Sequence, residues 1–139
     1  MRTFAYLLLP ITLIPATAPA LSPMSINGKF LTQSNVAMVK VNPCGGSLCA
    51  TIQGPGPSNE VWPVYDKRNS DPALRNRPLT GLNLIADAKP EGDHWRGKIY
   101  SPRDGRSYSA TFTPTTDGTL KVHGCWGFIC LTQIWHPAK

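Results

Sequence analysis

The densest run of side chains able to do chemistry is Asp66-Lys67-Arg68-Asn69-Ser70-Asp71-Pro72-Ala73-Leu74-Arg75-Asn76-Arg77-Pro78. Three kinds of chemistry fit it. Arg75 and Arg77 carry forked guanidinium groups that match a carboxylate or phosphate through parallel N–H bonds, so they form a candidate anion site. Asp66, Asn69 and Asp71 offer the hard oxygen ligands of a calcium site, but their spacing departs from the EF-hand loop and its turn glycine is missing. The third reading is the default: Asp and Asn side chains cap backbone groups, and the arginines pair with nearby carboxylates, so that the run is a structural loop.

Four cysteines form the second chemical group, Cys44 and Cys49, then Cys125 and Cys130. Each pair encloses four residues, at the edge of the spacing used by zinc ligands, and the Cys-x-x-Cys of a thiol exchanger is absent. An even count in an exported chain reads as two disulfides. Local pairing, Cys44–Cys49 and Cys125–Cys130, suits cysteines that face each other at the neck of a hairpin, although longer cross pairing remains open at this level.

The three histidines, His94, His123 and His136, lack metal-binding spacing, and the carboxylates are too dispersed to nominate an acid/base pair. There is no Gly-x-Ser-x-Gly elbow, phosphate loop or dinucleotide fingerprint. The expectation is a protein without a catalytic site, a cofactor or a metal.

Where the chain works follows from its beginning. Arg2, an apolar stretch over 4–14 and the small residues Ala18-Pro19-Ala20 follow the three-part plan of an export signal, with cleavage after Ala20. The stretch is interrupted by Pro10 and Pro15 and is shorter than the roughly 20 residues of a membrane-spanning helix. We therefore expect residues 1–20 to be a signal peptide and 21–139 one domain that is periplasmic or secreted and does not span a membrane. The formal charge is +6, to which Arg2 contributes one, and the basic side chains are scattered rather than clustered, which argues against nucleic acid as a partner.

The elements that must position these groups are short strands. Gly and Pro recur between alternating segments, and helix signals are scarce. Along residues 106–113, Tyr108, Ala110 and Phe112 alternate with hydroxyl side chains. Before them, Trp95, Gly97 and Ile99 alternate with Arg96, Lys98 and Tyr100. Pro102-Arg103-Asp104-Gly105 joins the two as a hairpin. Further strands are expected at 26–32, 36–41, 48–53, near 61–65, and at 82–87, 120–123 and 129–136. Asp71 before Pro72 predicts an N-cap with proline in the first helical position, hence one or two helical turns that end by Pro78. Eight or nine strands with half-apolar faces are best stabilised by curling until the sheet closes, which removes its exposed edges.

The chain resembles the bacterial family of small exported proteins known as domain of unknown function 2147. The resemblance runs through Asp66-x-x-Asn69-x-Asp71-Pro72-x-Leu74-Arg75-x-Arg77-Pro78-Leu79-x-Gly81, then Trp95-x-Gly97-x-Ile99-Tyr100-x-Pro102-x-x-Gly105-x-x-Tyr108. It continues through Leu120-Lys121-Val122-x-Gly124-Cys125 and ends in Cys130-x-x-Gln133-x-Trp135. Phe30 stands where the family's first strand usually offers Trp, and His136-Pro137 where a basic residue commonly closes the last strand.

The resemblance implies an all-β fold, a small antiparallel lipocalin-like β-barrel. An eight-stranded barrel has an interior that side chains can fill or that can hold one small ligand. The candidate lining of such a cup is Phe30, Trp62, Trp95, Ile99, Tyr108, Ala110, Phe112 and Trp135. The function expected is binding of a small apolar or amphipathic molecule in the bacterial envelope. The alternative is a filled barrel that acts through its loops on another envelope component, with the aromatic tip Trp126-Gly127-Phe128 as one such contact. A hydrolase comes third.

Overall fold

The computed structural model describes residues 9–18 and 22–139. The expected cleavage point after Ala20 lies outside the described residues. Eight antiparallel strands form a closed barrel in which each strand pairs with its neighbours in sequence: β1 (Gly28–Leu31), β2 (Ala37–Cys44), β3 (Ser47–Pro55), β4 (Asn83–Glu91), β5 (His94–Ser101), β6 (Arg106–Pro114), β7 (Leu120–Trp126) and β8 (Ile129–Pro137). No described helix is long and apolar enough to cross a membrane.

The hairpins form where the sequence carries turn residues. Gly45 and Gly46 connect β2 to β3 with φ of 60° and 80°, the left-handed pair that a two-residue turn needs to match strand twist. Pro90 precedes Glu91-Gly92-Asp93 yet starts no turn. It stays within β4, opposite Trp95, and the turn tightens to Gly92-Asp93. At the end of β6, Asp117 Oδ1 accepts from Thr115 Oγ1, Thr119 N and Thr119 Oγ1, which closes the link to β7.

Such an up-and-down course sorts the connections by end. One end, the base, carries the short links 45–46, 92–93 and 115–119. The other, the mouth, carries 32–36, 102–105, 127–128 and the long connection 56–82. That long connection corrects one expectation. Residues 61–65 form no strand, because Pro63 interrupts the segment and only Tyr65 makes an isolated bridge, to Pro78. The helical turn is present as Pro72–Leu74, with Asp71 Oδ1 accepting from Ala73 N at 3.0 Å.

Alternation within the strands builds the core. Val39 and Val41, Leu48, Ala50 and Ile52, Phe112, Leu120 and Trp135 point inward and are buried. Register shifts in β2–β3 near Met38/Val39 and in β3–β4 bend the sheet so that it can close. Both cysteine pairs are bridged locally, Cys44–Cys49 and Cys125–Cys130. Only the second pair sits directly opposite in register, with Cα atoms 4.1 Å apart. In the first, Cys44 faces Ser47 and Cys49 faces Asn42, so that bridge runs diagonally.

Candidate functional site

Two features occupy the mouth: a buried polar knot in the long connection and a cavity beside it. The knot is built on Asp66, whose side chain has no solvent exposure. One carboxylate oxygen accepts from the Tyr100 hydroxyl at 2.6 Å. The other accepts from Asn69 Nδ2 at 2.8 Å and Arg77 Nε at 2.9 Å. Burial pushes the Asp66 carboxyl up, but these donors outweigh it and hold the group below the ordinary carboxylate value. Tyr100 responds in the opposite sense: burial, and then the anion it bonds, push its hydroxyl up to about 12.

The knot also organises backbone. Asn69 Oδ1 accepts from Asp71 N, and Arg75 Nε donates to Asn69 O, each at 2.8 Å. The Arg77 guanidinium lies over the Tyr100 ring, 5.1 Å from its centre. Ser70 N donates to Gly105 O at 2.9 Å, and Arg68 Nη1 to Arg103 O at 3.0 Å, tying the connection to the β5–β6 turn. Gly105 has φ of 70°, and a Cβ there would overlap the Arg68 carbonyl, so glycine permits both the turn and the close approach.

This geometry bears on the readings of residues 66–77. Arg75 and Arg77 each commit the Nε hydrogen to the connection itself, Arg75 to Asn69 O and Arg77 to Asp66. The Asp66 oxygens meet O–H and N–H donors instead of joining other oxygens around a cation. These are the contacts of a structural loop, and Tyr100 is the partner that sequence alone does not reveal. It lies 34 positions from Asp66, in the same alternation as Arg96 and Lys98, and no local pattern links it to the connection.

Beside the knot, the barrel is hollow. A cavity of about 1110 Å³ opens at the mouth, walled by Ile52, Leu79, Leu84, Ile99, Tyr108, Val122 and Trp135. Trp62, Val61 and Val64 of the long connection border it from above, while Gln133 and Leu131 line it along β8. Trp135 Nε1 donates to Gln133 Oε1 at 3.0 Å, which orients that amide within the cavity wall.

The eight candidate lining residues divide between hollow and fill. Trp62, Ile99, Tyr108 and Trp135 border the cavity. Phe112 and Ala110 are buried below it, and Trp95 packs against the core. Phe30 is buried at the base, beside a smaller cavity of about 460 Å³ between 24–30, 114–119 and 137–138. Register explains the division. Trp95 pairs with Phe112, a bulky pair that fills the base, and Phe112 pairs with Val122, which reaches the cavity. Gly97 pairs with Ala110, and Ala110 with Gly124, a small row above that pair; Ile99 and Tyr108 form the next row, at the cavity. The inward positions Gly124, Leu131 and Gln133 were not among the candidates, although alternation along 120–123 and 129–136 places them on the same face.

One further cluster has metal-type donors, His123, Cys125 and Cys130. Its two sulfurs form a disulfide, and His123 Nδ1 pairs with Thr132 Oγ1 at 2.8 Å on the outer face of the barrel.

Comparison with known proteins agrees with this architecture. The family model described as "uncharacterized protein conserved in bacteria (DUF2147)" matches residues 28–137, which span the whole barrel. None of the curated proteins matches the sequence. A solved structure of a protein from the human pathogen Helicobacter pylori, described as belonging to the lipocalin family, aligns with a TM-score of 0.69 at 24% identity. The alignment covers 81% of this chain and 82% of that one, and shows a shared fold.

Proposed function

Because the chain belongs to the bacterial family DUF2147 and folds as a lipocalin-like barrel, we propose that it holds a small apolar or amphipathic molecule in the bacterial envelope and does no chemistry on it. The cavity carries this reading. Its volume of about 1110 Å³ suits a small molecule; Ile52, Leu79, Leu84, Ile99, Val122 and Trp135 give it an apolar wall, and Glu60, Lys67, Arg68, Arg103 and Asp104 add charged groups, a combination that fits an amphipathic ligand. The filled-barrel alternative draws its support from the base, where Trp95 and Phe112 pack in the interior. Export to the periplasm or beyond is supported by the signal-like residues 1–20 and by two disulfides, which persist in oxidising compartments.

One measurement addresses both parts. Native mass spectrometry of protein isolated from its own host should show a chain that begins at Leu21 and retains a small ligand, released on denaturation. A mass that includes residues 4–14 overturns the processing. A bare chain that also fails to bind an apolar fluorescent probe overturns the binding role.

A further inference from the structure

We propose that the mouth of the barrel is a docking face for an anionic lipid bilayer, through which the cavity exchanges its occupant with the membrane. The proposal takes from the cavity reading what is exchanged; the docking itself stands on separate observations. The first is where exposed apolar side chains lie. Phe128, at 106% exposure, forms the tip of the β7–β8 turn, flanked by Trp126 at 52% and Ile129 at 62%. Val61 and Val64 are exposed on the connection above the cavity. A solvated loop tip has no need of such residues, and in water their clustering at one end is unfavourable.

The second observation is direction. Along β7 and β8, Trp126, Ile129 and Leu131 share the inward alternation of Val122, Gln133 and Trp135. The inner wall of the cavity therefore continues past the rim as an apolar ramp, with Leu131 lining the cavity while 63% exposed. The Cys125–Cys130 bridge staples the base of this ramp, so the tip keeps its shape when it leaves water.

The third is charge, which selects the occupant. The Arg106 guanidinium sits 4.5 Å from the centre of the Trp126 ring. Lys67, Arg68 and Arg103 border the mouth together with Glu60 and Asp104, the latter accepting from the Tyr108 hydroxyl. Glu60 pairs with Arg103 at 2.7 Å, while Lys67, Arg68 and Arg106 have no carboxylate partner among the described residues. Aromatic side chains that enter the headgroup boundary, with cations beside them to meet lipid phosphates, make up the physical pattern of an interfacial anchor.

The test uses protein isolated from its host and two sets of vesicles, phosphatidylcholine alone and an equimolar mixture with phosphatidylglycerol. Cosedimentation is expected with the anionic vesicles only, and should weaken as salt is added. The double variant Phe128→Ser/Ile129→Ser should lose binding by about tenfold or more. Lys67→Gln and Arg106→Gln should each lose about fivefold. All these positions are on the surface, so thermal unfolding should be unchanged. In buffer without vesicles, the tip variant should still bind an apolar fluorescent probe.

Absence of vesicle binding overturns the proposal, as does binding that the tip variant retains. A dimer broken by the tip variant, with no vesicle binding, makes the tip a contact between copies and overturns it too. Loss of solution probe binding in the tip variant assigns the tip to the cavity and has the same effect. Tip-dependent vesicle binding by a protein that takes up no probe leaves docking standing and removes the cavity reading instead.

Discussion

Replacing Asp66 with alanine is expected to lower the free energy of unfolding by about 3 kcal/mol, among the largest losses available from a single polar side chain. The carboxylate is fully buried and accepts three side-chain hydrogen bonds. Removing it leaves the Tyr100 hydroxyl proton without its acceptor, takes one of the two partners of Asn69 Nδ2, the other being the Tyr100 oxygen at 3.0 Å, and leaves the Arg77 guanidinium without its counter-ion. Urea denaturation measures the loss, and a cycle with Tyr100→Phe should show coupling, because the two side chains share one bond. A loss below about 1 kcal/mol would mean that the long connection is held by other means.

The pH dependence follows from the signs. The Asp66 carboxyl is lowered from 3.8 in the folded chain, so its contribution is complete above that value and disappears as pH falls through the folded value. The Tyr100 hydroxyl is raised from 10.0 to about 12, so its contribution is complete below pH 10.0 and disappears as pH rises toward 12. The stability gap between wild type and Asp66→Ala should therefore be widest between these limits and narrow at both extremes.

The second large effect is on binding. Gly124→Leu should abolish uptake of an apolar probe, about a hundredfold loss, while changing stability by less than about 1 kcal/mol. A Cβ at Gly124 would meet the Tyr108 Cβ at 3.5 Å and the Ile99 Cγ2 at 3.9 Å, ordinary contact distances, and the longer side chain would extend into the cavity. Gly97 is the contrast, because a Cβ there would lie 2.9 Å from the Ala88 Cα, where packed backbone must shift. Gly97→Leu should therefore lose roughly 1–3 kcal/mol of stability. Probe titration paired with melting curves separates the two. Gly124→Leu binding the probe as wild type does would place the occupant elsewhere.

The contrast also marks how far the sequence could be read. Gly97 and Ala110 stand between large inward residues, which suggests room beside them, yet the space at Gly97 is taken by Ala88 of the neighbouring strand. Alternation sets which face a residue joins. Whether that face is filled or hollow at a given height depends on strand register and on bulges such as the one near Met38/Val39, and these arise only when strands meet. The hairpins were legible because Gly45-Gly46 and Pro102-Arg103-Asp104-Gly105 encode their turns locally. So was the turn capped by Asp71. The course of residues 56–82 was not: Val61, Trp62 and Tyr65 look locally like a strand, but the segment is set by Asp66 meeting a tyrosine on β5.

The short first strand bears on how the ring comes apart. β1 has four residues against nine in β8, and the two share only Phe30 opposite Pro137 and Leu31 opposite His136, reinforced by Ala138 N donating to Lys29 O at 2.8 Å. Every other join lies within a hairpin or across longer strands. The seam between the two ends of the sheet is thus the part of the ring with the fewest paired residues, with one more tie from Ile134 N to Gln33 Oε1 at 3.3 Å. A break there leaves every hairpin intact and turns a closed tube into a curved, gapped sheet, whose bore can widen without unfolding the protein.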